Sequence, residues 1–180
     1  MGFVVERFDH IVLNCNDVEA TASWYERVLG MRREVFGPNN RIALRFGDQK
    51  INLRPVGALA GDPDWVTGSV ETAGSADLCF ITHATPDEVR AHLTGCGVEI
   101  VSGPVTKLGA LGAMTSHYCR DIDGNLIEIA VYSAPAVQSG YSAGRLTTMA
   151  SWVLRAITTS AAVFGSGFSS RCGKYGGMKT

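Results

Sequence analysis

Charge is scarce in this sequence: 18% of its 180 residues are Asp, Glu, Lys or Arg, and the formal net charge is −1. The first figure excludes a chain held open by self-repulsion. The second removes the electrostatic footprint of a nucleic-acid binder. The balance is uneven along the chain. Residues 134–180 carry five basic side chains and no acidic one, which leaves 11 basic against 17 acidic in residues 1–133, a formal −6. Cysteine supplies no framework. Cys15, Cys79, Cys96, Cys119 and Cys172 are odd in number and form no C-x-x-C, which excludes a disulfide scaffold and a structural zinc cluster. Cys15 and Cys79 fall inside apolar runs and are expected to be buried free thiols. The N-terminus lacks the basic-then-apolar order of a signal peptide, and Glu6 spoils the myristoylation pattern begun by Met1-Gly2, so a reduced cytoplasmic setting is expected. The dinucleotide, P-loop and G-x-S-x-G patterns are absent, which weakens nucleotide-binding and serine-hydrolase readings.

What is present is a repeat. Phe8 to Leu13 is a short apolar run rich in β-branched residues and predicts a strand. Asp17 can cap a following helix, Val18, Ala22, Tyr25 and Leu29 recur at helical spacing, and Gly30 ends it. Three strands are expected near 31–36, 41–46 and 49–54. The second half repeats the order. Asp77 to Thr82 predicts a strand. Thr85-Pro86-Asp87-Glu88 combines a cap, an early proline and a Glu three residues on, and Gly97 stops the helix. Strands then follow near 98–101, 114–119 and 125–132. His10 precedes Gly30 by 20 residues, and Asp77 precedes Gly97 by 20. An α+β fold of two tandem βαβββ modules, joined by a Gly-, Pro- and Ala-rich linker over Val56 to Gly74, follows from this.

The runs FDHIVLNCNDVEATASWYERVLGM, FGDQKINLRP, GSADLCFIT and RDIDGNLIEIAVY, in that order, resemble the vicinal oxygen chelate superfamily of glyoxalases, bleomycin-resistance proteins and extradiol dioxygenases. Within it they look most like glyoxalase domain-containing protein 5 and its bacterial relatives. The resemblance covers about residues 7–133. It implies that each module curls its sheet, that two modules enclose a metal-binding cup, and that two subunits pair to build each cup. A homodimer acting on a small molecule, with no nucleic-acid or membrane partner, is the expectation.

Strand periodicity sorts the candidate residues. His10 shares a face with Phe8, Val12 and Asn14, while Ile11 and Leu13 point to the helices. Glu128 shares a face with Leu126, Ala130 and Tyr132, opposite Ile127, Ile129 and Val131. A carboxylate in so apolar a strand calls for a partner, because burying it alone is expensive. The resemblance implies ligands from the first and fourth strands of each module, here His10, Asn52, Asp77 and Glu128. His10, Asp77 and Glu128 are the expected metal ligands. Asn52 stands where some lactoylglutathione lyases place a glutamate, and Arg54 where the relatives place a histidine. Arg54 either displaces the metal's charge or forks onto a substrate anion. Asp77 alternatively pairs with Arg54. Tyr118 either lines the cup or fills the sheet. One imidazole with oxygen donors suits Mn²⁺, Ni²⁺, Fe²⁺ or Mg²⁺, with Zn²⁺ also open.

The activity implied is that of a divalent-metal lyase or isomerase acting on a vicinal-oxygen substrate such as a thiol hemithioacetal, with Glu128 shuttling the proton. Asn52 cannot take a proton, which argues against an efficient glyoxalase I. The alternatives are a metal-independent ligand-binding protein of the bleomycin-resistance type, and a thiol transferase or dioxygenase of the same superfamily. His83, His92 and His117 lie in no motif, and His92 is expected to be solvated. Asp121 to Asn125 is a turn by composition, without the pattern of a calcium loop. Residues 134–180 are read as a low-complexity, poorly structured tail with at most a short helix over 149–163. Arg155 at the centre of its apolar stretch argues against a membrane span.

Overall fold

The structure, a computed structural model of the chain, describes residues 2–58 and 66–133. The expectations for 134–180 lie outside the described residues. Within them no helix is long and apolar enough to cross a membrane.

Two modules follow one another with the same plan. The first is β1 (His10–Cys15), α1 (Val18–Leu29), β2 (Arg32–Phe36), β3 (Arg41–Phe46) and β4 (Gln49–Pro55). The second is β5 (Asp77–Ile81), α2 (Pro86–Gly95), β6 (Ile100–Gly109), β7 (Gly112–Arg120) and β8 (Leu126–Tyr132). Each builds a four-stranded mixed sheet, in the orders β1-β4-β3-β2 and β5-β8-β7-β6. The first and fourth strands of each module run parallel, and the other pairs are antiparallel.

The local signals act as chemistry dictates. Asp17 accepts a hydrogen bond from the Ala20 amide at 2.9 Å and starts α1; Gly30, at φ 65°, ends it in the left-handed region that a side chain would strain. Thr85 and Glu88 form the full capping box of α2, and Gly97, at φ 68°, turns the chain away. β6 is longer than the segment 98–101 expected. Gly103 and Pro104 look like a terminator, but β6 is an edge strand, and register shifts around Ser102 accommodate them.

One face of each sheet packs on the helices. Leu13, Cys15, Leu44, Ile51 and Leu53 of the first sheet and Cys119, Ile127 and Ile129 of the second join Trp24, Tyr25, Val28 and Leu93 in a single core. The loop Asp121–Asn125 fastens the modules together. Asp123 accepts from the Asn16 amide at 3.0 Å, from Asn16 Nδ2 at 2.9 Å and from the Thr21 hydroxyl at 2.9 Å. Asp121 accepts from the buried Tyr25 hydroxyl at 3.0 Å. His92, though exposed, meets the Val28 carbonyl through Nε2 at 2.9 Å, and Arg27 donates to the Cys96 carbonyl at 2.7 Å. The second face of each sheet, here called open, is the one the helices do not cover, and it is there that the candidate residues lie.

Candidate functional site

Register assigns the open faces. Residues paired across neighbouring strands share a side of the sheet. In the first module Val12 pairs with Asn52, Asn52 with Ala43, and Ala43 with Glu34; Asn14 pairs with Arg54 and His10 with Lys50. In the second, Cys79 pairs with Glu128 and Glu128 with Tyr118. His10, Asn52 and Arg54 therefore occupy one open face, and Asp77, Glu128 and Tyr118 the other. The strand alternation read from the sequence holds in both.

His10 and Asp77 line one cavity of about 300 Å³ between the starts of β1 and β5. Cys79, Lys50, Phe46 and Phe80 also line it, the two phenyl rings meeting edge to face at 5.4 Å. His10 Nδ1 lies 2.8 Å from Asp9 Oδ1. A carboxylate only accepts, so Nδ1 is the donor in this bond, and Nε2 is the ring nitrogen left for another partner. The hydrogen bond from His10 holds the Asp9 carboxyl below the usual carboxylate range. A histidine fixed in this way by a carboxylate is the arrangement found behind metal-binding imidazoles.

Glu128 is 9% exposed, and its Oε1 is buried with no hydrogen-bond partner. The Cys79 thiol is pushed up to about 11, by burial of the sulfur first and by the Glu128 carboxylate next. The Tyr118 hydroxyl is raised by the same two causes in the same order. Both groups thus hold their protons beside Glu128. Asn52 has the same feature as Glu128 in the other module: its Oδ1 is buried and unpartnered.

Two expectations change here. Cys79 is exposed as a residue rather than buried, although its sulfur is partly desolvated, because its position on β5 faces the open side and not the helices. Arg54 does not pair with Asp77. It is 3% exposed, donates from Nε and Nη2 to Asn14 Oδ1 at 3.0 and 2.6 Å, and lies 3.6 Å from Glu71 Oε1. Sequence reasoning missed Asn14 and Glu71 as its partners. Asn14 was legible as a face-mate of His10, but Glu71 stands in the linker, where no periodicity points.

The donor types fit a hard divalent cation: an imidazole, and carboxylate and amide oxygens, two of them buried without partners. Their number within one chain does not complete a coordination sphere. Among the described residues no three of His, Cys, Asp and Glu are arranged to hold a metal ion.

Residues 7–129 match the Glyoxalase/Bleomycin resistance protein/Dioxygenase superfamily, and the chain belongs to that superfamily. It is 45% identical over 129 residues to virulence protein STM3117 of Salmonella typhimurium, covering 72% of this chain and 86% of that one. It is 42% identical over 134 residues to glyoxalase domain-containing protein RDO1 of Mycosarcoma maydis, covering 71% and 69%. Among solved structures, an integron cassette protein of V. cholerae superposes with a TM-score of 0.69 at 44% identity, over 74% of this chain and all of that one. A lactoylglutathione lyase from Agrobacterium tumefaciens superposes with a TM-score of 0.57 over 71% of this chain and 95% of that one; at 18% identity it attests the fold alone.

Proposed function

We propose that this protein is a metal-dependent lyase or isomerase for a small vicinal-oxygen substrate, of the kind a thiol hemithioacetal exemplifies. His10, Asp77 and Glu128 would hold one divalent ion, Mn²⁺, Ni²⁺, Fe²⁺, Mg²⁺ or Zn²⁺, with the cup completed by a second copy of the chain. The observation that carries this reading is the buried, unpartnered Oε1 of Glu128 in an apolar strand. An orphaned carboxylate oxygen costs several kcal/mol unless a cation or donor meets it, on the order of the penalty for an unpaired buried ion. The likeness to glyoxalase domain-containing protein 5 belongs to this reading as well.

A bound divalent ion supplies Lewis acidity toward the substrate oxygens. The chain's own residues do the rest. Asp9 orients His10. Glu128 takes a proton from one carbon and returns it to the next, with the protonated Tyr118 hydroxyl beside it to hold the carboxylate in place. Asn52, in the equivalent place of the other module, has no proton to exchange, so the chemistry is that of a single base. Arg54 and Asn52 would contact substrate.

Elemental analysis of wild type beside His10→Ala and Glu128→Gln tests this. About one divalent ion per chain, lost in both variants, is expected. A wild type that stays metal-free after incubation with Mn²⁺, Ni²⁺, Fe²⁺ and Zn²⁺ would overturn it. One observation favours a second reading, a metal-independent ligand-binding protein: a buried guanidinium, Arg54, already places positive charge in the first module's face.

A further inference from the structure

Among the described residues of the linker, Glu71 reaches the first sheet with its side chain. Val66, Gly68, Ser69, Val70 and Thr72 are exposed, but the Glu71 side chain between them is only 13% exposed. It approaches Arg54 at 3.6 Å, beyond hydrogen-bond reach, and its Oε1 is buried with no hydrogen-bond partner. Arg54, for its part, donates from Nε and Nη2 to one neutral oxygen, Asn14 Oδ1. Both ions have given up water, and neither has gained a charge-assisted hydrogen bond from the other. A structural ion pair would close to the short fork geometry that arginine and carboxylate prefer. This one does not, and its anionic member sits on a segment with little packing to lose.

We propose that Arg54 receives the carboxylate of a small-molecule ligand, and that Glu71 competes for it from within the chain. The proposal rests on the reading of the open face as a ligand groove, but it does not require the metal. It deepens that reading by naming a substrate class: molecules that bear a carboxylate at some distance from the oxygens that chelate. Arg54 lies two residues beyond Asn52 on the same face of β4, which is roughly 7 Å along a strand. A ligand held at both places carries its anion about that far from its reacting end.

The test uses the full chain after chelator treatment. Acetate is titrated at constant ionic strength, with acetamide as its neutral counterpart, and the Asn14 side-chain amide is followed by NMR. Acetate is expected to bind wild type saturably, to bind Glu71→Gln about tenfold more tightly because an internal competitor is gone, and not to bind Arg54→Gln. Acetamide should bind none of them. Equal acetate affinity in wild type and Glu71→Gln, or binding retained in Arg54→Gln, overturns the proposal. Should Glu71→Gln not fold, Glu71→Asp withdraws the carboxylate by one methylene, and equal affinity there overturns it in the same way. Because the protein is metal-free throughout, this result and the metal content of wild type succeed or fail separately.

Discussion

The two modules share a skeleton and differ on their open faces. Ile51 and Ile127 are both fully buried against the helices, and Leu53 and Ile129 both belong to the core. One step along the same strands the likeness ends. Asn52 faces Glu128 in the repeat, Arg54 faces Ala130, and His10 faces Asp77. The joining turns differ as well: Gly47 and Asp48 connect β3 to β4, whereas five residues, Asp121 to Asn125, connect β7 to β8 and bind the first module. The lesson is a division of labour by strand alternation. Inward positions keep the fold, and outward positions are free to acquire chemistry.

That division can be broken at measurable cost. The largest effect should come from the fastening loop. Asp121 is buried and accepts from the Tyr25 hydroxyl, the Asn125 side chain and two backbone amides. Asp121→Ala strands several buried donors and should lower unfolding free energy by about 4 kcal/mol in urea titration. Next come the paired core positions. Ile51→Ala and Ile127→Ala should each cost about 3 kcal/mol, and a difference between them larger than about 1.5 kcal/mol would show that the modules are not energetic equals. The outward position should behave in the opposite sense. Glu128→Leu removes a buried carboxylate with one unpartnered oxygen and should raise stability by about 1 kcal/mol while abolishing metal uptake; a loss of stability would mean that its contacts with Tyr118 and Cys79 outweigh the orphaned oxygen.

The smallest effect is a pH slope confined to the second module. His117 is buried with neither ring nitrogen hydrogen-bonded. Burial, and after it the charge of Arg90, push it below its ordinary 6.5, with Asp87 opposing. The unfolded chain then binds a proton that the folded chain refuses. Stability is full above pH 6.5 and falls as pH drops below it, until the folded-state value is reached. His117→Phe should flatten the urea-midpoint profile below pH 6.5; an unchanged slope would assign it to other groups.

Much of this was legible in the residues. Caps, helix-ending glycines and alternation specify both modules, because each is a local signal repeated at equal spacing. The resemblance singled out His10, Asp77 and Glu128, and the strand alternation that sets them on the faces away from the helices was legible in the residues. What escaped has a common cause, since it depends on contacts between segments far apart in sequence. The exposure of Cys79 follows from which side of β5 the helices cover. The Glu71 partner of Arg54 comes from a linker without pattern. The hub role of Asp121 and Asp123 looks, in one dimension, like an ordinary turn. The full length of β6, through Gly103 and Pro104, depends on its lying at the sheet edge.

Joining the two modules by a covalent linker has a consequence for how such a face can change. A lone module pairing with its own copy would show one residue at both equivalent positions, so any gain at one would be imposed on the other. In a tandem chain the copies are inherited together but mutate separately. The symmetry is kept where it supports the backbone and lost at 52 and 128, where an amide and a carboxylate stand at the same place in the architecture.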